Sequence, residues 1–488
     1  MSDPIRLILN GAPVTVEGAR PTTTLLDWLR ARGLCGTKEG CAEGDCGACT
    51  VAVRSLEGDR LVTRPVNSCI QLLPMLNGCE LVTVEALAGP GGAAHPAQAA
   101  IAEGHGSQCG FCTPGFVMSL WCALRTEGAA PERARVEELL AGNLCRCTGY
   151  GPLIGAFADA FARGPAPWEE ADGAAAERLR ALIPHAHLSY EAEGRRFFAP
   201  TDLDAFADLV AEHPEATILG GATDVGLWVT KDLFDPETLI WTGRVGALRE
   251  MRAEGGALRI GAAVTYAEAA PRIAALYPDI GALIRRIGGA QVRAAGTVGG
   301  NVANGSPIGD MPPALIAAGA TLALRRGRER REMALEEFFL DYRKQDRRPG
   351  EFVEALLLPI PADGARLRCS KVSKRFDQDI TAVLGCFDVE MRDGVVVSAR
   401  LAYGGMAGVP KRAAHAEAAL IGRAWTEATV RDAMEALGAD FTPLSDMRAS
   451  AVYRMQVARN LLLRHFIETT QPGTPTRLER RDALTSAA

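Results

Sequence analysis

Hydrophobic and polar positions divide the chain into four textures. Near the start, Ile5, Leu7 and Leu9 recur with the period of a strand and run into Asn10-Gly11. That turn pair predicts a hairpin returning through Val14-Thr15-Val16. Residues 24–32 predict a short helix and 81–85 a closing strand, with a glycine-rich loop at 33–49 between them. Gly89-Pro90-Gly91-Gly92 punctuates a boundary. The stretch 95–162 then follows the helical period, at 95–105, 114–127, 133–140 and after Pro152. Residues 163–187, rich in Ala, Pro and charge, read as a linker. From 190 the pattern is α/β, with strands such as 217–219 and helices such as 203–212. A further boundary falls at 359–364. Beyond it come strands at 367–373, 383–391 and 395–402, then helices at 411–422, 427–436 and 447–466. The polar tail after Pro472 is expected to be disordered. No internal repeat is visible.

Size and composition narrow the class. The 488 residues have room for about three domains of roughly 150 residues. At 48% hydrophobic and 23% charged, the composition is that of an ordinary globular protein. The net charge of −6 and the lack of a basic stripe exclude nucleic acid as a partner. The start, MSDPIRLILNG, has no basic and apolar leader, and the apolar run 311–324 is too short and proline-broken to span a bilayer. No membrane association and a cytoplasmic location are therefore expected.

The cysteines change this picture. Eight of thirteen fall within the first 150 residues in two patterns. Cys41, Cys46 and Cys49 form C-x4-C-x2-C, with Cys69 further on, which is the plant-type [2Fe–2S] ligand pattern. Cys109 and Cys112 form C-x2-C, and Cys145 and Cys147 form C-x-C. Thiolates suit iron–sulfur clusters and zinc alike, so a structural zinc site stays open, more so for the second set. Gly40, Gly44 and Gly47 let the backbone curl around cluster sulfurs and offer N–H donors. Of the remaining cysteines, Cys79, Cys122, Cys369 and Cys386 read as buried apolar thiols, and Cys35 as a spare ligand at most. Two one-electron centres in tandem make the chain an electron conductor.

Two glycine-rich turns, 220–224 and 296–301, are candidate phosphate cradles. Each alone reads as a tight turn. Two in one domain, beside two clusters, point to a dinucleotide, and a flavin can exchange electrons singly or in pairs. The seven histidines are scattered and read as surface or capping residues, and no catalytic residue is identified. The basic run 325–331 reads as a solvated turn.

Three segments carry a resemblance: Thr37 to Thr50 around the first cysteines, Gly106 to Gly115, and Gly142 to Tyr150. Together they resemble the molybdenum hydroxylases. Thr297-Val298-Gly299-Gly300-Asn301 and Ser306-Pro307-Ile308-Gly309-Asp310 resemble that family's FAD domain, and the stretch after 367 its flavoprotein C-terminal domain. Clusters and flavin on one chain without molybdenum domains resemble the small subunits of the bacterial xanthine dehydrogenases. The fold implied is α+β and multidomain. It comprises a β-grasp ferredoxin-like domain (1–88), a helical [2Fe–2S] bundle (89–163), a linker (164–189), a two-part α/β FAD-binding domain of the PCMH type (190–362), an α+β flavoprotein C-terminal domain (363–472) and a tail (473–488).

The resemblance also implies roles. Cys41, Cys46, Cys49 and Cys69 would ligate one cluster. Cys109, Cys112, Cys145 and Cys147 would ligate the other, with Gln108 and Cys147 toward a pterin held by a partner. Ile218, Leu219, Gly220, Gly221, Ala222, Thr223, Asp224, Val225 and Gly226 would follow the FAD pyrophosphate. Thr297, Gly300, Asn301, Ser306, Asp310 and Lys371 would complete the flavin site, with Tyr342 near a nicotinamide. Ile287 and Phe376 depart from the residues of animal enzymes near the flavin. The implied activity passes electrons from hypoxanthine or xanthine hydroxylation through two [2Fe–2S] clusters to FAD and then NAD+. The implied partner is a molybdopterin-binding large subunit, in a heterotetramer of two small and two large subunits. An aldehyde or other N-heterocycle is the alternative substrate.

Overall fold

The computed structural model describes residues 2–182, 187–361, 364 and 366–476. The chain opens with a five-stranded sheet in the order Ala12–Val16, Ile5–Leu9, Glu80–Val82, Thr50–Glu57, Arg60–Asn67. The first hairpin turns at Asn10 (φ 51°) and Gly11 (φ 85°), both left-handed as a two-residue turn requires. Ile5 and Leu7 point into the core, where the helix Leu25–Ala31 lays Leu25 and Leu29 across them. Thr24 caps that helix, accepting from the Asp27 N–H at 3.1 Å. The closing strand is shorter than its apolar pattern suggests. The Thr83 N–H goes to the Asn10 side chain at 2.9 Å, and the chain leaves the sheet as a 3-10 turn, Val84–Leu87.

Four helices follow, Pro96–Glu103, Thr113–Thr126, Arg133–Leu140 and Gly151–Arg163. They pack Phe116, Leu120, Leu153 and Phe157 into one core, which also takes in Ala52 and Val82 of the first sheet. His95 caps the first of them in a reciprocal box with Gln98.

The expected linker contains the helix Asp172–Leu182. Its Ala, Glu, Arg and Leu content favours a helix once tertiary contacts support it. Those contacts are apolar through the buried Ala175, Ala176 and Leu179, and ionic as well. Arg54, buried in the first sheet, pairs with Glu80 at 3.1 Å and Asp172 at 2.7 Å, and Arg178 reaches Glu80 at 2.8 Å. Residues 183–186 of the linker and 477–488 of the tail lie outside the described residues.

The next part holds two sheets. One has the order Leu188–Ala192, Arg195–Ala199, Thr238–Trp241, Thr217–Leu219, and the other Met251–Glu254, Ala257–Gly261, Phe352–Pro359, Thr321–Arg326, Glu329–Ala334. The basic run is solvated at its tip, where Arg326, Arg328 and Arg330 are exposed, but not at its ends. It forms a hairpin whose alternation turns Arg325 inward, 2% exposed, against Asp204 and Glu354. Arg331 pairs with Glu351 at 2.8 Å and Asp346 at 2.9 Å.

The last part is a sheet of Arg368–Val372, Val383–Arg392, Val395–Gly404 and Lys411–Arg412, covered by the helices Ala414–Leu420, Glu427–Asp440 and Ala451–Thr470. Lys411 and Arg412 extend the sheet instead of opening the helix expected there. His465 is neither on the surface nor a cap: it is buried between the rings of Phe387 and Trp425. Among the described residues no helix is long and apolar enough to cross a membrane.

Removing one partner of a buried ion pair strands the other. Arg54→Ala is expected to destabilise the first domain by about 3–5 kcal/mol. A thermal unfolding midpoint equal to the parent's would show that the helix Asp172–Leu182 does not depend on this pair.

Candidate functional site

The first cysteine loop is wound tightly by the residues between its thiols. Cys41 Sγ accepts from the backbone N–H groups of Asp45 and Cys46, both at 3.3 Å. Cys49 and Cys69 are buried, their sulfurs 3.3 Å apart. The Cys46 and Cys69 thiols hydrogen-bond to Cys41 and hold it far below the usual thiol range, while Cys46 is pushed up in turn. The four thiols thus meet as Cys41 with Cys46 and Cys49 with Cys69, and a Cys41–Cys69 contact joins the pairs. Gly40 leaves room for the Cys46 sulfur, which a Cβ there would approach to 2.7 Å.

The second set follows the same rule. Cys109 faces Cys147, and Cys112 faces Cys145. Burial, then the Cys145 partner, pushes the Cys112 thiol up to about 12. Thr148 Oγ1 lies 3.2 Å from Cys145 Sγ. Among the described residues no three His, Cys, Asp or Glu side chains close around a single ion. Thiols meeting two and two suit a binuclear cluster with two ligands per iron better than a four-thiolate zinc cage. The donor chemistry and the glycine-lined loops fit [2Fe–2S] clusters in both places.

The two loops touch. The Leu144 N–H, beside Cys145, donates to the Cys46 carbonyl at 2.9 Å. A Cβ on Gly47 would overlap the Gly142 carbonyl oxygen, and one on Gly115 the Gly47 oxygen. The sets differ in exposure. Cys109 and Cys147 stand at the surface beside Phe111 (47% exposed) and Leu144 (37% exposed). Cys35 lies exposed on the flank of the first loop.

The first glycine turn joins the strand Thr217–Leu219 to the helix Val225–Thr230, with Ala222 left-handed at φ 61°. Ile218 is half-buried, and Leu219, Ala222 and Val225 pack inward against the first domain, so only their backbone is open to a ligand. A Cβ on Gly221 would overlap the Ala295 carbonyl, and one on Gly226 would meet the Ile70 carbonyl at 2.5 Å. In the second turn, Thr297 caps the helix Val298–Asn304 by accepting from Gly300 N–H at 3.1 Å. Gly220, Gly221 and Thr297 line one cavity of about 780 Å3, together with Trp241, Arg244 and, from the first domain, Gln71. That size is in the range of cofactor clefts. Thr223, Asp224, Asn301, Ser306, Asp310 and Lys371 lie outside this cavity.

Lys371 reaches Asp310 at 2.7 Å and the Arg286 carbonyl at 3.1 Å, and Thr381 donates to the other Asp310 oxygen. Asn301 Oδ1 and Tyr266 Oη are buried without a hydrogen-bond partner. Such atoms are costly unless something else satisfies them, and a flavin dinucleotide, rich in polar groups, fits that need. Tyr342 is exposed on the hairpin Phe339–Asp341 and Lys344–Gln345, which Gln345 ties to the Ala303 carbonyl at 3.0 Å. Ile287 packs against the core of this domain, and the Phe376 ring lies under Arg286 at 4.6 Å. Tyr266, Arg286 and Thr381 were not legible in the sequence, since each lies outside any motif and is brought in by tertiary packing. Gly221→Ala is expected to empty the flavin site while iron content holds, because the added methyl has only backbone to displace. Full flavin absorbance in that variant would place the cofactor elsewhere.

Residues 7–73 match the family described as 2Fe-2S iron-sulfur cluster binding domain, and 83–158 that described as [2Fe-2S] binding domain. Residues 190–361 match the FAD binding domain in molybdopterin dehydrogenase, and 368–469 the CO dehydrogenase flavoprotein C-terminal domain. Xanthine dehydrogenase of Emericella nidulans is 31% identical over 95% of this chain, which spans 38% of that protein. Xanthine dehydrogenase/oxidase of Rattus norvegicus is 29% identical over 96% of the chain, which spans 39% of it. Among solved structures, a carbon monoxide dehydrogenase chain from Hydrogenophaga pseudoflava aligns with a TM-score of 0.53 at 28% identity, over 55% of this chain and 94% of that one. Quinoline 2-oxidoreductase from Pseudomonas putida 86 aligns with a TM-score of 0.52 at 25% identity, over 56% and 96%. With four matched families in this order and relatives alignable along nearly all of its length, the chain belongs to the molybdenum hydroxylase family, of which it carries the [2Fe–2S]-binding and FAD-binding domains.

Proposed function

We propose that this chain is the electron-transfer subunit of a xanthine dehydrogenase. It takes electrons from hypoxanthine or xanthine hydroxylation at a partner's molybdopterin and passes them through two [2Fe–2S] clusters to FAD and then NAD+. The observation that carries this reading is the junction of the two cysteine loops, where Leu144 N–H meets the Cys46 carbonyl within one chain that also holds the flavin turns. Clusters move electrons singly and a flavin exchanges them singly or in pairs, so together they link a two-electron donor to a two-electron acceptor.

The chain's own residues divide the work. Cys109, Cys112, Cys145 and Cys147 hold the outer cluster, and the exposed Phe111 and Leu144 beside them offer a face to a molybdopterin-binding large subunit. Cys41, Cys46, Cys49 and Cys69 hold the inner cluster, with Cys49 and Cys69 shut from water. The backbone of 218–226, with Thr297, Gly300, Asn301, Ser306 and Asp310, holds FAD, and Lys371 keeps a positive charge against Asp310 there. Tyr342, exposed on its hairpin, stands at the entrance for a nicotinamide. A heterotetramer of two small and two large subunits in the cytoplasm completes the reading. The similarity to quinoline 2-oxidoreductase favours a second one, in which the partner oxidises another N-heterocycle or an aldehyde and the wiring is unchanged.

Two clusters mean about four irons and four labile sulfides per chain, with one FAD. Cys46→Ala and Cys145→Ala are each expected to remove one EPR signal and leave the other. Zinc in place of iron, or about two irons in the parent chain, would defeat the two-cluster reading.

The isolated chain is expected to oxidise NADH with an artificial acceptor and to leave xanthine untouched. Addition of the molybdenum subunit should restore xanthine-to-NAD+ flow, and Cys145→Ala should interrupt that flow while sparing NADH oxidation. Xanthine turnover by the chain alone would overturn the assignment. Restored turnover of quinoline or an aldehyde in place of xanthine would establish the second reading.

A further inference from the structure

Gln291 belongs to the flavin domain, in the short helix Ala290–Ala295, yet its side chain ends among the cysteine loops. It is 1% exposed. Its Nε2 donates to Thr50 Oγ1 and to Asn143 Oδ1, each at 3.0 Å, with Ser119 Oγ at 3.3 Å. These acceptors are themselves committed. Thr50 Oγ1 donates to the Gly47 carbonyl at 2.6 Å, Asn143 Nδ2 donates to the same carbonyl at 3.1 Å, and Ser119 donates to Asn143 Oδ1 at 2.7 Å. The direction of every bond is thereby fixed, and only an N–H donor fits at the Gln291 position.

Every residue in this network adjoins a cluster ligand or lies on its helix. Gly47 follows Cys46, Thr50 follows Cys49, and Asn143 stands two residues before Cys145. Ser119 lies on the helix that begins after Cys112. The space around the amide is closed: a Cβ on Gly142 would overlap Gln291 Oε1, and one on Gly289 would overlap the Gly142 backbone. We infer that Gln291 is a positioning residue for electron transfer between the clusters: its buried amide, supplied by the flavin domain, sets the separation and relative orientation of the two cysteine loops. The inference rests on the two-cluster reading above.

The test uses the full chain loaded with its cofactors. Gln291→Met keeps the volume and removes the donors, and Gln291→Glu presents acceptor oxygens where donors are needed. Iron content and the two EPR signals report whether both clusters are present. The magnetic interaction between the reduced clusters, read as splitting or relaxation enhancement, reports their geometry, and pulse reduction reports the intercluster rate. Both variants are expected to keep four irons and both signals, with a changed interaction and a slower intercluster step. An interaction and rate equal to the parent's, with both clusters in place, would overturn the inference. If either variant fails to retain its clusters, Thr50→Val and Ser119→Ala, which each remove one acceptor, are read in the same way, and parental values in both overturn it. A parent chain without two EPR signals would instead refute the two-cluster reading itself.

Discussion

Three backbones approach at one point more closely than side chains allow, and the rest of the molecule is arranged to keep them there. Gly47 comes from the first domain, Gly115 and Gly142 from the helical one, and Gly289 from the flavin domain. A Cβ on Gly47, Gly115 or Gly289 would meet a neighbouring backbone, and one on Gly142 the Gln291 side chain, so glycine here serves close approach and not only turn geometry. Contact at that distance strips water from the peptide groups, and each must then find a protein partner. The Cys46 carbonyl finds Leu144, and the Gly47 carbonyl finds Thr50 and Asn143. The cysteine loops therefore cannot shift independently.

Around this point the domains are stitched by arginine. Arg54 and Arg178 bind the first sheet to the helix that follows the bundle, through Glu80 and Asp172. Arg64 and Arg249 share Glu57 and Glu268 across the boundary between the first domain and the flavin domain. Lys231 crosses the same boundary to the Cys41 carbonyl at 2.6 Å. The planar guanidinium, with its fixed fork of donors, suits such shared carboxylates better than lysine does. These directional contacts add specificity to interfaces that are also apolar, since one buried cluster takes in Leu25 and Leu72 of the first domain together with Leu219 and Val225 of the flavin domain.

Much of the architecture was legible because its signals are local. The Asn10-Gly11 turn, the Thr24 cap and the Pro-led helices of the bundle each rest on residues adjacent in sequence. Cysteine spacing works for the same reason, since a loop that wraps a cluster fixes its own ligand intervals. What was hidden depends on distant residues. The helix Asp172–Leu182 reads as linker until Arg54 is placed beside it. Arg325 reads as solvated until Asp204 and Glu354 close on it. Gln291 carries no sequence signal, because its partners lie 148 to 241 positions away.

The unequal burial of the cysteines has a chemical consequence. Oxidation of a thiol depends on access as much as on acidity. Cys49 and Cys69 are closed to solvent, whereas Cys109 and Cys147 stand open to it. Peroxide or a disulfide reagent meeting the chain without its clusters would reach Cys109, Cys147 and Cys35 before Cys49 and Cys69. A chain stripped of its clusters would then age from the outside in, its deepest thiols the last to be lost.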